Sequence, residues 1–525
     1  MAQIQMVNIV APGRFGLNSE NEGALLRPQW LTQAHNAVIS RSGRIAARGG
    51  WISLTQQAIT GSHNIQTIFE LRYADGSIEI ISAANNKIYK GITDYTDSGN
   101  DITPDPGVDA QPTANHWKFI STGDSGIPMI GVQRDHDPIV WSGIGDTVVQ
   151  EGVEFGNEIL YAFGRTWVAG SDLQSIYYSG LLTPFTFSEV GGGGSIDMTS
   201  VWTRGVDEIV AIAAIGSTLV VFGKRHIIMW ADGSGSEIGL DPEHIEVVDT
   251  IEGTGCIARD SVQPTSEGDL LFLSRVGIQS LGRVIQSKSN PLVVVSKHVR
   301  QDLIDVIEEA RLDDPELDEV RATYSSEIGY YILNFPAQDR MFVLDVQHPF
   351  NDDEGEVAFP MTIWEMGGNI SAMTTLSDGR TLLGSNGVVG KYFGSTDRGD
   401  PYDFAVMSGW LDFGDLNHRL KILKEITASV NLSNEADLTW RWEFDFNGAE
   451  KTRIVSYAGT GEGAEFGEAE FGEAEFGSFV TVERQSFPAY GEGQFIRVGV
   501  SATIDGQQLA IQQVTVAPKI GRAAT

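Results

Sequence analysis

Residues 216–233 read GSTLVVFGKRHIIMWADG: an apolar run, a short polar turn, and a second apolar run that ends in an aromatic residue before Ala-Asp-Gly. Two apolar runs separated by a short polar turn are typical of a β-hairpin. Similar stretches recur along the chain, each bounded by glycines. They span residues 76–91, 126–143, 164–180, 268–282 and 379–394.

The spacing of these hairpins predicts the architecture. Most copies start about fifty residues after the previous one, and the longest interval contains a further strand pair at 329–335 and 341–345. One hairpin per repeat of this length is typical of a radial array of small sheets. We therefore expect a mainly β fold, with a β-propeller-like ring of about six to eight small antiparallel sheets over residues 61–404.

A helix is predicted to interrupt the ring. Residues 296–311 read SKHVRQDLIDVIEEAR, with apolar residues at helical spacing and Ser296 as the expected N-cap. An acidic tract continues to residue 319. The inserted segment 296–319 suits contact with a neighbouring subunit, with Arg300 and Leu303 as candidate contact residues.

The two ends of the chain differ from the repeats. Residues 1–60 are expected to form a leader with a strand, a turn and a strand between residues 36 and 51, and its arginines are candidate subunit or adaptor contacts. These are Arg41, Arg44 and Arg48. Residues 405–525 are expected to form a separate β-sandwich-like module.

Alternation of apolar and polar residues carries the prediction for the C-terminal module. Apolar residues alternate from Leu438 to Phe446, which predicts a strand with one buried face. The alternating apolar residues fall on odd-numbered positions at Leu509 and Ile511 but on even-numbered positions at Val514 and Val516. A β-bulge is therefore expected near Gln512.

A low-complexity insert lies within this module. Residues 464–477 repeat the unit AEFGE, and a five-residue period with glycine in every unit predicts an exposed loop. One reading is a neutral expansion of a loop. The other is a gate or tip that touches DNA or a partner, and its candidate residues are Glu465, Phe466, Glu470, Phe471, Glu475 and Phe476.

The charge balance limits the partners. The chain has 36 Lys and Arg against 70 Asp and Glu, a net charge of −34. Tight binding of nucleic acid through phosphates needs clustered cations, so we do not expect it. An acidic wall is compatible with DNA that passes without adhering. The single cysteine, Cys256, is expected to be buried, and no signal peptide or membrane-spanning segment is predicted.

Motifs for chemistry are missing from the sequence. We find no zinc-binding spacing, no nucleophile elbow and no phosphate-binding loop. Residues 134–137 concentrate groups that could bind a metal or do acid–base work, but they also occupy the polar turn of a hairpin, where Asp is common. Residues 351–356 carry many oxygens that could bind calcium, but they lack calcium-loop spacing, so we expect a solvated acidic loop there. No cofactor and no enzymatic activity are expected, although propeller hydrolases use channel carboxylates that a sequence does not single out.

Three stretches resemble the tail-nozzle proteins of short-tailed phages, a family also called phage stabilisation or tail tubular B-type proteins. The first runs from Asn36-Ala37 to Arg48-Gly49-Gly50, with Gly49 where the family has proline. The second combines residues 165–170 with residues 176–179. The third joins Gly255-Cys256 to residues 272–278.

This resemblance spans roughly residues 15 to 400 and implies a structural virion protein. Members assemble as a ring, usually of six copies, below an adaptor ring that hangs from the portal, and the tube retains and then conducts the genome. It implies location in the phage tail after assembly in the host cytoplasm, and leaves open whether tail fibres or a needle attach. The alternatives are a glycan-binding or glycan-hydrolysing propeller and a generic scaffold for cellular complexes.

Overall fold

A computed structural model describes most of the 525 residues, and every structural statement below concerns that part. It covers residues 7–10, 12–21, 26–40, 43–114, 116–124, 126–134, 136–150, 156–203, 205–232, 242, 244–286, 294–312, 319–352, 355–411, 413, 419–459 and 482–523. The AEFGE repeat at 464–477 and Arg41 lie outside these residues, so the expectations about them stay predictions.

The N-terminal segment contributes six short strands before the first repeat. They are β1 (Val7–Val10), β2 (Gly16–Leu17), β3 (Trp30–His35), β4 (Ala37–Ile39), β5 (Ile45–Ala47) and β6 (Trp51–Ser53). Strands β4 and β5 pair as the expected antiparallel hairpin.

The described chain then forms seven antiparallel blades, numbered here 1 to 7; six are separate small sheets, and blade 6 is part of a ten-stranded sheet that continues into the C-terminal region. Blade 1 contains β7 (Ile65–Arg72), β8 (Ile78–Ala84) and β9 (Lys87–Lys90), and blade 2 contains β10 (Lys118–Ser121), β11 (Met129–Gln133), β12 (His136–Trp141) and β13 (Val148–Val149). Blade 3 contains β14 (Gly156–Ala162), β15 (Arg165–Gly170), β16 (Ser175–Tyr178) and β17 (Gly194–Asp197), and blade 4 contains β18 (Ile209–Ile215), β19 (Thr218–Gly223), β20 (His226–Asp232) and β21 (Ile245–Glu252).

The remaining blades are interrupted by helices and a small hairpin. Blade 5 contains β22 (Gln263–Pro264), β23 (Leu270–Ser274) and β24 (Gly277–Ser280), followed by helices α1 (Leu281–Gln286) and α2 (Arg300–Leu312). Blade 6 contains β25 (Arg321–Ser325), β26 (Tyr330–Phe335), β27 (Arg340–Asp345) and, after the hairpin of β28 (Phe350–Asn351) and β29 (Val357–Ala358), β30 (Met361–Trp364). Blade 7 contains β31 (Ala372–Thr375), β32 (Thr381–Ser385) and β33 (Val388–Tyr392).

The blades close into a β-propeller, as the hairpin repeat predicts. Neighbouring blades contact each other through their first strands or the turn leading into them, and β31 of the last blade contacts β7 of the first. Each glycine-bounded hairpin supplies the second and third strands of one blade, including the seventh copy formed by β26 and β27. The count of seven lies inside the predicted range of six to eight.

Burial on both faces explains why the hairpins are almost continuously apolar. In blade 4, Leu219 and Val221 pack with residues of blade 3, whereas Val220 and Phe222 pack with residues of blade 5. All four side chains are inaccessible to solvent. A strand with one solvated face would alternate between apolar and polar residues, but a strand between two neighbours does not.

The ring is closed by a strand from the other end of the chain. Strand β6 pairs antiparallel with β33 and becomes the outer strand of blade 7. Trp51 at its start is fully buried, and its Nε1 donates a hydrogen bond of 2.9 Å to the Gly367 carbonyl. This pairing joins residues far apart in sequence, so closure depends on the N-terminal segment.

The C-terminal region forms a two-sheet sandwich. Its strands are β34 (Tyr402–Ser408), β35 (Arg419–Leu432), β36 (Ala436–Phe444), β37 (Lys451–Tyr457), β38 (Val482–Gly493), β39 (Ile496–Ile504) and β40 (Leu509–Ala523). One sheet has the order β3-β34-β39-β36-β37 and continues into β30 of blade 6, and the other has the order β38-β35-β40-β5-β4. The two sheets share one hydrophobic core with blades 5 and 6 and helix α2.

The expected boundary between an N-terminal leader and a separate C-terminal module is wrong. Strands β1 and β5 pair with β40, and β3 pairs with β34. The sandwich is therefore built from both ends of the chain, because the strands of residues 1–60 complete sheets whose other members lie beyond residue 400.

Two local predictions in the sandwich have different outcomes. The bulge at Gln512 is confirmed, since the register of β35 against β40 passes from Ser429–Gln513 to Val430–Ile511 and skips Gln512. The alternating strand ends two residues earlier than predicted. Phe446 is 52% exposed, because the backbone turns with a positive φ of 55° there.

The predicted helix is present as α2, but its surroundings differ from the expectation. Leu303 is completely buried in the core shared with the sandwich, so it is not available as a subunit contact. Ser296 occupies the N-cap position of the 3-10 turn 297–299 that leads into α2, but its hydroxyl makes no capping hydrogen bond and instead accepts one of 3.0 Å from the Ile278 amide. Arg300 is half-buried at the start of the helix.

A buried arginine joins the propeller to the sandwich. Arg48 donates to both carboxylate oxygens of Asp397, at 2.9 and 2.7 Å, and its Nε donates to the Asn36 side chain at 2.9 Å. Its guanidinium also lies 4.0 Å from the Tyr402 ring centre. Arg48 is thus an internal structural residue, and its predicted role as a surface contact is wrong because the side chain is 0% exposed.

Removing this clamp should destabilise the whole fold. Breaking a buried ion pair by removing one partner leaves the other charge uncompensated, so Arg48→Met should lower the free energy of unfolding by about 3–5 kcal/mol in urea titrations. Arg380→Met is the matched control, because its pair with Asp378 is half exposed. That control should cost less than about 1 kcal/mol. Equal small effects in both variants would contradict the role of the clamp.

Candidate functional site

The best candidate for a functional site in the described chain is a cavity at the centre of the ring. It has a volume of about 230 Å³ and is lined by residues of β7, β10, β22, β25 and β31 and by residues just before β10 and β22. These are the innermost strands of their blades, so the cavity lies on the propeller axis. The first strands of successive blades run in the same direction, which brings their starting residues to one end of the channel.

One half of a charged network surrounds Asp260, which lies in the short turn of residues 259–261. Its Oδ2 is 2.5 Å from Nε2 of His116, and its Oδ1 is 3.2 Å from Nζ of Lys118. Arg321, the first residue of β25, places Nη1 3.6 Å from the same carboxylate. Three blades thereby meet at one carboxylate.

The other half involves Arg259 and Glu158 of β14. Arg259 donates to the Asn157 carbonyl at 2.6 Å, and its Nη2 lies against Nε2 of His116. Glu158 Oε1 is 3.4 Å from Nζ of Lys118. The His116 ring nitrogen is thus a donor to Asp260 in one tautomer and an acceptor from Arg259 in the other.

The environment moves the pKa values of these groups apart. Burial, aided by Arg259 and Arg321, lowers the pKa of His116 to about 3, so the ring is neutral at physiological pH. Burial acts to raise the pKa of Asp260, but Arg259, Lys118 and His116 outweigh it and hold that pKa well below the usual range. Burial raises the pKa of Glu158 in spite of Lys118 and Arg259.

Lys118 stays charged. Burial acts to lower its pKa, but the carboxylates of Glu158 and Asp260 outweigh burial and raise it. Its side chain is 33% exposed, against 7% for Arg259 and 6% for Arg321. Among the three cations of the network, Lys118 is therefore the one that solvent in the channel reaches most easily.

Sequence reasoning missed this cluster because its members are spread over two hundred residues. A signal was nevertheless present in the repeat. Lys118, Asp260 and Arg321 each lie eight residues before the first glycine of their hairpin, at Gly126, Gly268 and Gly329. Because the three residues have the same spacing from the hairpin of their blade, their backbones occupy equivalent positions around the axis.

The predicted site residues that the structure describes are not brought together. Arg44 is exposed beside β5, Arg48 and Leu303 are buried in the interior, and Arg300 is half-buried on α2. None of these lines the axial cavity. Cys256 is fully buried as predicted, and burial raises the pKa of its thiol to about 11, which excludes a thiolate at neutral pH.

Two other kinds of feature are absent from the described part of the chain. No group of three or more His, Cys, Asp or Glu side chains is arranged to hold a metal ion there. Its helices are all too short or too polar to cross a membrane.

Comparison with known proteins identifies similar folds. No protein-family model and no curated protein sequence matches the chain. Solved structures with similar folds include streptogramin B lyase (9% identity, TM-score 0.34, 66% of this chain and 97% of that one) and YCF48 bound to D1 peptide (10%, 0.34, 65% and 94%). The WD40 domain of Pan2 from Neurospora crassa is also similar (9%, 0.38, 65% and 95%).

These neighbours are β-propeller proteins of varied function. Similarity at this level carries no argument about what this chain binds or does. The propeller fold of these neighbours agrees with the strand pairing of this chain described above.

The depressed pKa of His116 predicts how stability depends on pH. The unfolded chain takes up a proton near pH 6.5 that the folded chain refuses until about pH 3, so stability is lost as the pH falls through this window. His116→Gln removes that titration. Between pH 7 and pH 5, urea denaturation should show wild type losing about 2 kcal/mol more than the variant.

The exposed loop histidine His63 provides the control, since His63→Gln should lose stability in parallel with wild type over the same pH range. If His116→Gln also follows the wild-type curve, the ring is not held neutral in the folded protein.

Proposed function

We propose that this chain is a structural subunit of the tail nozzle of a short-tailed phage. In this role it forms a ring, expected to contain six copies, below the adaptor and portal, where it retains and then conducts the genome. The protein would reside in the virion after assembly in the host cytoplasm. The AEFGE repeat at 464–477 stays a candidate gate or tip of that conduit.

The observation that carries the proposal is that the residues of the resemblance make architectural contacts. Asn36 and Arg48 belong to the clamp between propeller and sandwich. A Cβ atom on Gly50 would collide with the backbone of Thr396, so only glycine fits there. This first stretch thus serves to anchor the N-terminal segment to blade 7.

The second and third stretches are architectural as well. Arg165 is buried and donates to the Ser179 carbonyl at 2.8 Å, while the Ser179 hydroxyl accepts from the Thr166 amide at 2.9 Å. Ser274 donates to the Gly277 carbonyl at 2.8 Å inside its hairpin turn. Contacts of this kind stabilise the fold and supply no reactive group, which favours a structural role.

The charge of the chain supports a conduit. With a net charge of −34, an assembled ring would repel phosphates and shorten the residence of DNA on its wall. The propeller's own axis is too narrow for a duplex, since its cavity measures about 230 Å³ and charged side chains cross it. The conduit of the proposal is therefore the space enclosed by several copies.

Assembly tests the proposal. Purified protein mixed with its adaptor should give six-fold rings in electron micrographs. Arg44→Glu should weaken adaptor binding, because it reverses the charge of an exposed candidate contact residue. Arg380→Glu is a matched control on an exposed arginine of blade 7. Protein that stays monomeric and never binds an adaptor would overturn the proposal.

The alternative is a glycan hydrolase, and one observation favours it. The charged network beside the cavity contains two carboxyl groups with divergent pKa values, raised for Glu158 and lowered for Asp260, and such pairs divide acid and base roles in glycosidases. Against it, the Glu158 side chain is only 4% exposed. The cavity is also below the roughly 300–1,000 Å³ of ordinary ligand pockets.

Assay against a panel of polysaccharides separates the two functions. The nozzle predicts no turnover by wild type. Turnover that disappears in Glu158→Gln but persists in the exposed control Glu356→Gln would establish the hydrolase instead.

A further inference from the structure

Two edge strands face each other at one side of the sandwich. In the described part of the chain, β37 is the last strand of one sheet and β38 is the last strand of the other. Side chains join the two edges: Arg453 Nη1 donates to the Pro488 carbonyl at 3.1 Å, and Gln485 Nε2 donates to the Ser456 carbonyl at 3.0 Å. We call this line of contacts between β37 and β38 the seam. An exposed strand edge is a ready docking place for a further length of chain.

The seam carries two cations that contact only neutral acceptors. Lys451 Nζ donates to the Tyr490 carbonyl at 3.4 Å, and Arg453 likewise donates to a carbonyl. Neither side chain forms an ion pair with a carboxylate of the described residues, and the adjacent Glu450 pairs with Arg441 at 3.6 Å instead. In a chain with 70 Asp and Glu against 36 Lys and Arg, the seam is thus a local site that attracts negative charge.

Exposed apolar side chains lie beside these cations. Tyr490 and Ile454 are each 65% exposed, and Val482 at the start of β38 is 44% exposed. The centre of the Tyr490 ring lies 5.1 Å from Lys451 Nζ and 5.9 Å from the Trp442 ring, which it meets edge to face. The seam therefore combines positive charge with aromatic surface, a combination that suits an acidic peptide with aromatic residues.

The chain itself contains a segment of this composition. The AEFGE repeat at 464–477 has five Glu and three Phe and contains no Lys or Arg. It lies between β37 and β38 in sequence, so both of its ends are tethered at the seam. Residues 460–481 are about three times as numerous as those of β37, so at about 3.3 Å per extended residue either half of this segment is long enough to run along the seam.

Tethering compensates for the weakness of the individual contacts. Exposed ion pairs contribute little one at a time, and salt screens them. A short tether holds a peptide at an effective concentration of about millimolar, so several weak contacts made together give substantial occupancy.

We propose that the AEFGE repeat docks on the seam of its own chain, with its glutamates against Lys451 and Arg453 and its phenylalanines against Tyr490 and Ile454. The seam is then a specific binding surface for the repeat, whereas a neutral expansion of a loop would have none. This inference goes beyond the nozzle proposal and does not depend on it.

Zero-length cross-linking of the full-length wild type tests the proposal. A water-soluble carbodiimide activates a carboxyl group, and a lysine amine in contact with it then forms an amide. Mass spectrometry of the monomer fraction should show Lys451 joined to a glutamate of residues 464–477. Lys224 and Glu208, an exposed pair at 2.6 Å, provide the internal positive control.

Two results of this experiment would overturn the proposal. One is the absence of any link between Lys451 and the repeat in a sample in which Lys224 and Glu208 are joined. The other is a link that occurs only in dimers, because the repeat of a second copy would then occupy the seam.

A substitution separates docking from chance contact. Arg453→Gln removes one cation and keeps Lys451 as the reactive amine, so the yield of the link from Lys451 to the repeat should fall about two- to fivefold, as expected for one exposed ion pair. Arg134→Gln is the matched control, because Arg134 is also exposed but lies in the turn between β11 and β12 of blade 2. The control should keep the wild-type yield, and a wild-type yield in Arg453→Gln would contradict docking.

Proteolysis gives a second readout that does not depend on lysine chemistry. An endopeptidase that cleaves after glutamate should cut the repeat faster in Arg453→Gln than in wild type, because a docked segment is less accessible to the protease. Arg134→Gln should be cut at the wild-type rate. Equal rates in all three proteins would overturn the proposal.

Discussion

Closure of the ring by β6 is the constraint on which the rest of the structure depends. A seven-bladed array exposes two open blade faces unless its last blade meets its first, and here β31 contacts β7 while β6 completes blade 7. The Arg48–Asp397 pair anchors the N-terminal segment just before β6. Since the same segment supplies β3, β4 and β5 to the sandwich, closing the propeller and completing the sandwich are one event.

Burial on both faces gives the blades their stability and removes their capacity for chemistry. Hairpin residues alternate between the cores on either side, so most side chains of the second and third strands of a blade are committed to packing. Polar groups that remain inside must be paired, because an unpaired buried charge is expensive. Several of them are gathered at the axis, where different blades supply partners at once, and the cluster around Asp260 is the result.

Much of the fold could be predicted from the chain alone, because its information is local. The seven hairpins, the helix at 300–312 and the bulge at Gln512 all follow from the order of apolar and polar residues over short distances. The candidate site could not be found in this way. His116, Glu158 and Asp260 lie in different repeats, and their proximity depends on the curvature of the closed ring.

The sequence by itself determined that this protein is an array of small apolar sheets with no recognisable catalytic motif, since both properties are expressed in neighbouring residues. Tertiary structure alone decided that the ends of the chain form one sandwich, that Arg48 and Leu303 are interior, and that cations converge on the axis. The physical reason is that strand pairing, burial and charge compensation join residues hundreds of positions apart, and only the closed ring fixes which of them meet.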